Sequence, residues 1–273
     1  MKPSTEPIVV NSLPTIPVVA HIPHSSSFIP EHVLYQFMIS EDELQEENRK
    51  LVDWFCDDLY SPVSHLGGTL LRYMVSRFVC DPERFEDDSQ ECMVQRGMGV
   101  VYTHGTQRQR IRRDITRRER EALLAEFYRP YHRALTGRVA HVVETFGRCT
   151  LIDCHSYQEK ALPYELFGDS TRADVVFGDD PIHTPPWIRE EVRRLVTSAG
   201  YTFGLNRPFA GTVVPLPLYG DTRVSSFMLE INRATYMNEI TTTRSSGFSR
   251  MRALIGEIVK VVAAYSTEAA VSA

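Results

Sequence analysis

IPVVAHIPHSSSFIP, residues 16–30, joins a β-branched apolar run to a polar stretch that holds two histidines and three serines. Bounded by prolines, the run reads as a short buried strand ending at His24. A strand that opens directly into a polar turn is a common place for an α/β protein to present chemistry. Any partners of His24 must then come from elsewhere in the chain.

The same theme returns at CTLIDCHSY (149–157), where an apolar strand runs straight into His155, and at SSFMLEINRATYM (225–237), a strand ending in charged residues. TLLRYMVSRFVCD (69–81), with Arg77 near its end, and DVVFGDD (174–180) read as further strands. Helical patterns lie between them. Residues 40–63 open with Ser40 followed by Glu43, a capping box, and place Leu51, Trp54, Phe55 and Leu59 at helical spacing, which predicts one helix with Asp53 beside its apolar stripe. Residues 114–147 are strongly helical, with a break or kink expected at Pro130. Residues 187–200 and 248–266 predict two more helices. Residues 82–106 read as long loops with a short strand at VVY, and loops of that length are usually functional. The alternation predicts an α/β fold, a mixed, mostly parallel sheet flanked by helices on both faces, in one domain with its catalytic core at about 16–266.

The 273 residues are 42% hydrophobic, enough for a sizeable core, and the net charge of -5 argues against nucleic acid as a partner. RQRIRRDITRRER (108–120) is locally basic but reads as a solvated helix face, its acids offsetting part of the charge. The five cysteines, at 56, 80, 92, 149 and 154, are odd in number and include no CxxC pair. Neither a disulfide framework nor a structural zinc knot is indicated, and a reducing compartment fits. The first residues lack the pattern of a signal peptide, and no apolar run reaches the roughly 18 residues of a membrane span. The expectation is a cytoplasmic protein with no membrane partner.

Three apolar strands thus deliver His24, His155 and Glu230 to one edge of the sheet, with Asp53 on the helix that follows the first strand. Two neutral imidazoles and a carboxylate form a catalytic zinc set, because they leave a fourth position for water. Glu230 would then accept the proton of that water and pass it to a leaving amine. No compact motif such as HExxH is present. A thiol nucleophile at Cys154 is disfavoured, since adjacent strand residues point to opposite faces and Cys154 cannot easily meet His155.

Eight segments, in order, extend the pattern: HIPHSS (21–26), VDWFCDDLY (52–60), VSRFVCDPER (75–84), GMGVVY (97–102), YRPYH (128–132), LIDCHSY (151–157), NRPFAG (206–211) and MLEINRATYM (228–237). In these the chain resembles the N-formylglutamate amidohydrolases. The resemblance implies a zinc-dependent hydrolase with a zinc exopeptidase-like (phosphorylase/hydrolase-like) fold, similar to zinc carboxypeptidases and zinc peptidoglycan amidases. It implies one Zn2+ on His24, Asp53 and His155, with Glu230 catalytic. Asp57 lies one helical turn beyond Asp53, so either carboxylate could reach the metal. His24 rather than His21 is the expected ligand, because it lies past the strand where the backbone opens, and His21 is read as buried or supporting.

The implied reaction hydrolyses N-formyl-L-glutamate, or a close N-acyl amino acid, to the amino acid and formate or another carboxylate, in keeping with histidine breakdown. A substrate with two carboxylates needs arginines that can bind them bidentately. Arg77 and Arg233, flanking strand ends, lead the candidates, followed by Arg207 and Arg84, with Asn206 and Tyr219 as neutral donors. The chain departs from the family pattern at Gly211–Thr212, where a double glycine is expected, and a Cβ there limits how closely the backbone approaches a ligand. Cobalt or manganese could replace zinc. Two rival readings keep the fold: a non-catalytic binder of acidic small molecules, and a peptidoglycan or peptide amidase.

Overall fold

A computed structural model describes residues 5–168 and 171–271. Seven of its strands are β1 (Ile8–Val10), β2 (Val18–Ile22), β3 (Thr69–Arg72), β4 (Cys149–Tyr157), β5 (Val175–Gly178), β6 (Phe203–Leu205) and β7 (Val224–Asn232). They form one sheet in the order β1-β3-β2-β4-β7-β5-β6. The four central strands are mutually parallel; β1 and β5 join them antiparallel, and β6 runs parallel to β5. The helices are α1 (Glu31–Leu34), α2 (Glu41–Leu51), α3 (Cys56–Leu59), α4 (Pro62–His65), α5 (Arg117–Leu123), α6 (Arg129–Phe146), α7 (Pro186–Ser198) and α8 (Phe248–Val271).

The near-continuous apolar runs of β2 and β4 follow from coverage of both faces of the sheet. On one face Val18, Ala20, Ile22, Ile152, Cys154 and Leu229 pack against α3, α4, α7 and α8. On the other, Val19, Leu71, Leu151 and Val224 pack against α5 and α6. This second face changes character along the strands. Val19 pairs with Leu151, but one step of the pleat further His21 pairs with Asp153, and His155 then pairs with Glu230. Side chains two apart share a face, so a single surface is apolar at the amino ends of its strands and polar at their carboxyl ends. Cys154 lies in the opposite core, away from His155.

Three local expectations differ from the structure. The helix predicted over 40–63 splits into α2, α3 and α4, although the Ser40–Glu43 capping box forms as read. After α2 the chain turns extended at Val52, Asp53 donates its N–H to the His24 carbonyl at 2.9 Å, and Phe55 takes a left-handed φ of 65°. The Phe55 ring meets Phe248 edge-on at 6.4 Å, so tertiary packing holds a conformation that a β-carbon ordinarily disfavours. Pro130 does not end its helix. A π-turn at Leu124–Tyr128 leads into α6, and the wider turn accommodates a residue with no N–H to donate. Finally, β3 stops at Arg72 and VVY forms no strand, so residues 73–116 are mostly loop, with one 3-10 turn at Cys92–Arg96.

Candidate active site

His24 stands two residues beyond β2, Asp53 in the break after α2, and His155 near the end of β4. Their ligand-type atoms all lie within 4.8 Å of one another. His155 Nδ1 is 3.3 Å and His24 Nδ1 3.8 Å from the same Asp53 oxygen, Oδ2. The ring centroids of the two histidines are 5.1 Å apart. All three side chains are buried.

Each is oriented from behind. His24 Nε2 pairs with Asp81 at 2.7 Å and His155 Nε2 with Asp153 at 2.8 Å. Arg233 donates to the remaining Asp53 oxygen at 3.1 Å and to the Lys50 carbonyl at 2.7 Å. With Nε2 donating to Asp81, a neutral His24 turns the lone pair of Nδ1 inward, and this buried nitrogen has no hydrogen-bond partner among the described residues. An imidazole held by a carboxylate on one nitrogen and bare on the other is the usual setting of a metal-bound histidine.

The electrostatics agree. Burial, together with Arg77, lowers the His24 pKa and keeps its ring neutral. Burial opposes charge on His155 too, yet Asp153, Asp53 and Glu83 outweigh it and hold that ring well above its ordinary value. Burial likewise disfavours the Asp53 and Asp81 carboxylates, but His155 and His24 beside Asp53, and Arg77 and His24 beside Asp81, keep both ionised. His155 therefore draws a proton into a cluster rich in buried carboxylates, and a dication could replace that positive charge. The donor set and the orphaned His24 nitrogen both fit a divalent metal.

Glu230 enters from β7, opposite His155 in the register. Burial, reinforced by Asp53 and opposed by His155 and Arg77, pushes its carboxyl up to about 8. One of its oxygens, Oε2, is buried without a hydrogen-bond partner among the described residues.

A second group, His21, Glu83 and Asp153, also has metal-ligand spacing. Its atoms are already engaged. His21 Nδ1 pairs with the Tyr131 hydroxyl at 2.7 Å, His21 Nε2 with Glu83, and Asp153 with His155 and the Val213 N–H. This group buttresses His155, and His21 is buried as read.

The arginines divide. Arg77 lies beyond β3 and gives Nε and Nη2 to Asp81 and Nε also to the Tyr102 hydroxyl, while Nη1 has no hydrogen-bond partner among the described residues. Arg84 is 3.9 Å from Asp81 and donates to the carbonyls of Met98 and Glu83. The Arg233 guanidinium is held by Asp53, Ser156 and Lys50 behind the site. Arg207 is exposed, 5.1 Å over the Phe167 ring. Asn206 is used within its loop, donating to Asp179 and accepting from the Gly211 N–H. Tyr219 is exposed, bonded to Asp180, and packs on His183, whose ring holds the Val224 carbonyl at the start of β7, the end opposite Glu230. Asp57 pairs with Arg72 at 2.8 Å and is outside the cluster. The Thr212 hydroxyl bonds Ser226.

Asp81, Asp153 and Glu83 are the site residues that the sequence reading passes over. Asp153 had a signal: a carboxylate inside an apolar strand, two residues before His155 and so on the same face. Asp81 and Glu83, in a loop, had none of that kind. Replacing Asp81 or Asp153 by Asn is expected to weaken metal affinity by about 10- to 100-fold at unchanged fold, measured by competition with a chromogenic chelator. Equal affinity in both variants and wild type would remove their orienting role.

Two imidazoles and a carboxylate converging at the carboxyl edge of a mostly parallel sheet, with an unpaired carboxyl oxygen on the neighbouring strand, define a candidate metal-hydrolase site on an α/β scaffold. Residues 16–237 match the family described as N-formylglutamate amidohydrolase, and the chain belongs to that family. It is 28% identical over 233 residues to the N-formylglutamate deformylase of Pseudomonas putida, covering 82% of this chain and 83% of the relative. It is 27% identical over 265 residues to the enzyme of the same name from Pseudomonas aeruginosa, covering 93% and 95%. The crystal structure of N-formylglutamate amidohydrolase from Ralstonia eutropha superposes with a TM-score of 0.81 at 27% identity, over 97% of this chain and 100% of that one. A gene product of Agrobacterium tumefaciens shares the fold at a TM-score of 0.66 and 17% identity, over 95% and 96% of the two chains. Among the described residues no helix is long and apolar enough to cross a membrane.

Proposed function

We propose that this chain is a divalent-metal amidohydrolase that cleaves N-formyl-L-glutamate to glutamate and formate, on a zinc exopeptidase-like scaffold. The observation that carries the reading is the buried, partnerless His24 Nδ1 facing Asp53 and His155, with the bare Glu230 oxygen on the adjacent strand. The Pseudomonas relatives that carry the name of this activity support the substrate.

His24, Asp53 and His155 would hold the cation, which would supply Lewis acidity to water and to a carbonyl. Asp81, Asp153 and Arg233 fix the three ligands so that little reorganisation is needed during reaction. Glu230, whose carboxyl the charge of a bound cation would bring back to its ionised form, accepts a proton from the attacking water and returns it to the nitrogen as the C–N bond breaks and formate leaves. Arg77, anchored on Asp81, keeps Nη1 for an anionic group of the substrate, and Arg84 adds positive charge beside it.

A panel of N-formyl and N-acetyl amino acids, assayed for amine release with and without added metal, tests the reading. N-formylglutamate is expected to exceed neutral N-formyl amino acids by at least about 100-fold in kcat/KM, because guanidinium groups left without a carboxylate reject the neutral analogue. Preference for neutral side chains would defeat the assignment.

A further inference from the structure

Tyr164 is a buried tyrosine on the segment between β4 and β5, 7% exposed, its ring among Leu51, Phe78, Met93, Met98 and Tyr102. Every other buried tyrosine among the described residues gives its hydroxyl a partner: Tyr60 the Leu229 carbonyl, Tyr102 Asp81, Tyr131 His21, Tyr236 the Trp54 carbonyl, and the rest likewise. The Tyr164 hydroxyl alone has none. Unlike the bare His24 nitrogen and Glu230 oxygen, this oxygen is not sealed from solvent, so an entering ligand can accept its proton. The segment is pinned as well. Arg172 pairs with Glu165 at 2.6 Å, donates to the Gln158 carbonyl and lies over the Tyr157 ring at 4.7 Å, which sets the position of Tyr164.

The surroundings indicate the ligand chemistry. Arg77, Arg233 and Glu230 all lie within electrostatic reach of the phenol. Arg233 is consumed by Asp53, whereas Arg77 retains a free Nη1. Tyr164 shares its apolar cluster with Tyr102, whose hydroxyl takes the Arg77 Nε, and a carboxylate accepts from both an open guanidinium nitrogen and an open hydroxyl.

We infer that Tyr164 is a substrate-binding residue whose hydroxyl donates a hydrogen bond to a carboxylate of the amino-acid half of the substrate, beside Arg77. The inference rests on the proposed N-acyl amino acid hydrolysis. Its test is Tyr164→Phe, which keeps the ring in its pocket and removes only the oxygen. The variant is expected to raise the KM for N-formylglutamate and the inhibition constant of glutarate by about 10- to 100-fold, the loss of one hydrogen bond to a charged group. Metal content and Tm are expected to stay at wild-type values, and kcat to fall by less than KM rises. Unchanged KM and unchanged glutarate inhibition overturn the assignment, whatever happens to kcat. Failure of the functional reading looks different, because wild-type protein would then not turn over N-formylglutamate at all.

Discussion

Glu230→Gln is expected to lower kcat by about 10²- to 10⁴-fold while the protein keeps its full complement of metal. The side chain is nearly isosteric, so the pleat position opposite His155 is preserved. What disappears is the capacity to take up and release a proton. Glu230 is not one of the three grouped ligands, so metal content, read by plasma emission, should not change. A binder without catalysis would bind acidic ligands equally well in both proteins and have no turnover to lose, which would sink the catalytic reading.

The same variant carries a stability signature in metal-free protein. Burial pushes the Glu230 carboxyl up to about 8, against an ordinary value of 4.5. Between those values the folded state holds a proton that the unfolded chain has released, so stability falls as pH rises through that window. Metal-free wild type is expected to lose Tm between pH 5 and pH 8 relative to Glu230→Gln, which has no proton to lose there. Parallel Tm curves would show that the carboxyl is not held protonated by its site.

His24→Ala is expected to abolish metal binding at micromolar metal and activity with it, a larger loss than that from either carboxylate behind the ligands. The reason lies in the bare Nδ1, which no hydrogen bond among the described residues occupies. Thorough chelation should reproduce the inactivity in wild type, and added zinc, cobalt or manganese should restore wild type but not the variant. Chelation also removes the stabilisation that comes from binding only to the folded state, about 3 kcal/mol where free metal stood near a hundred times Kd. Wild-type protein that stays fully active after chelation would remove the metal from the mechanism.

The strand framework was legible because a strand's signal is local. IPVVAHIP, CTLIDCHSY and SSFMLEIN each show an apolar run that turns polar, and the structure places His24, His155 and Glu230 together at the carboxyl edge. Which carboxylate meets the histidines was not legible in the same way. Asp53 and Asp57 look equivalent if one helix continues from 40 to 63, and they cease to be so when the chain breaks at Val52. That break is bonded to the His24 carbonyl and braced by Phe248 against Phe55, contacts that no window of sequence around residue 53 contains. The arginines follow the same logic. Arg77 and Arg233 both flank strand ends, but only the folded chain shows Arg233 closing on Asp53 and Arg77 on Asp81.

The sequence alone determined the α/β alternation, the buried central strands and which strand ends turn polar, because pleat periodicity and apolar runs are properties of neighbouring residues. The tertiary structure alone decided which carboxylate meets the histidines, which ring nitrogen stays bare and which tyrosine keeps its hydroxyl free. Those choices are made through space, where buried charges and donors take the partners within reach, and reach in a folded chain is unrelated to separation along it.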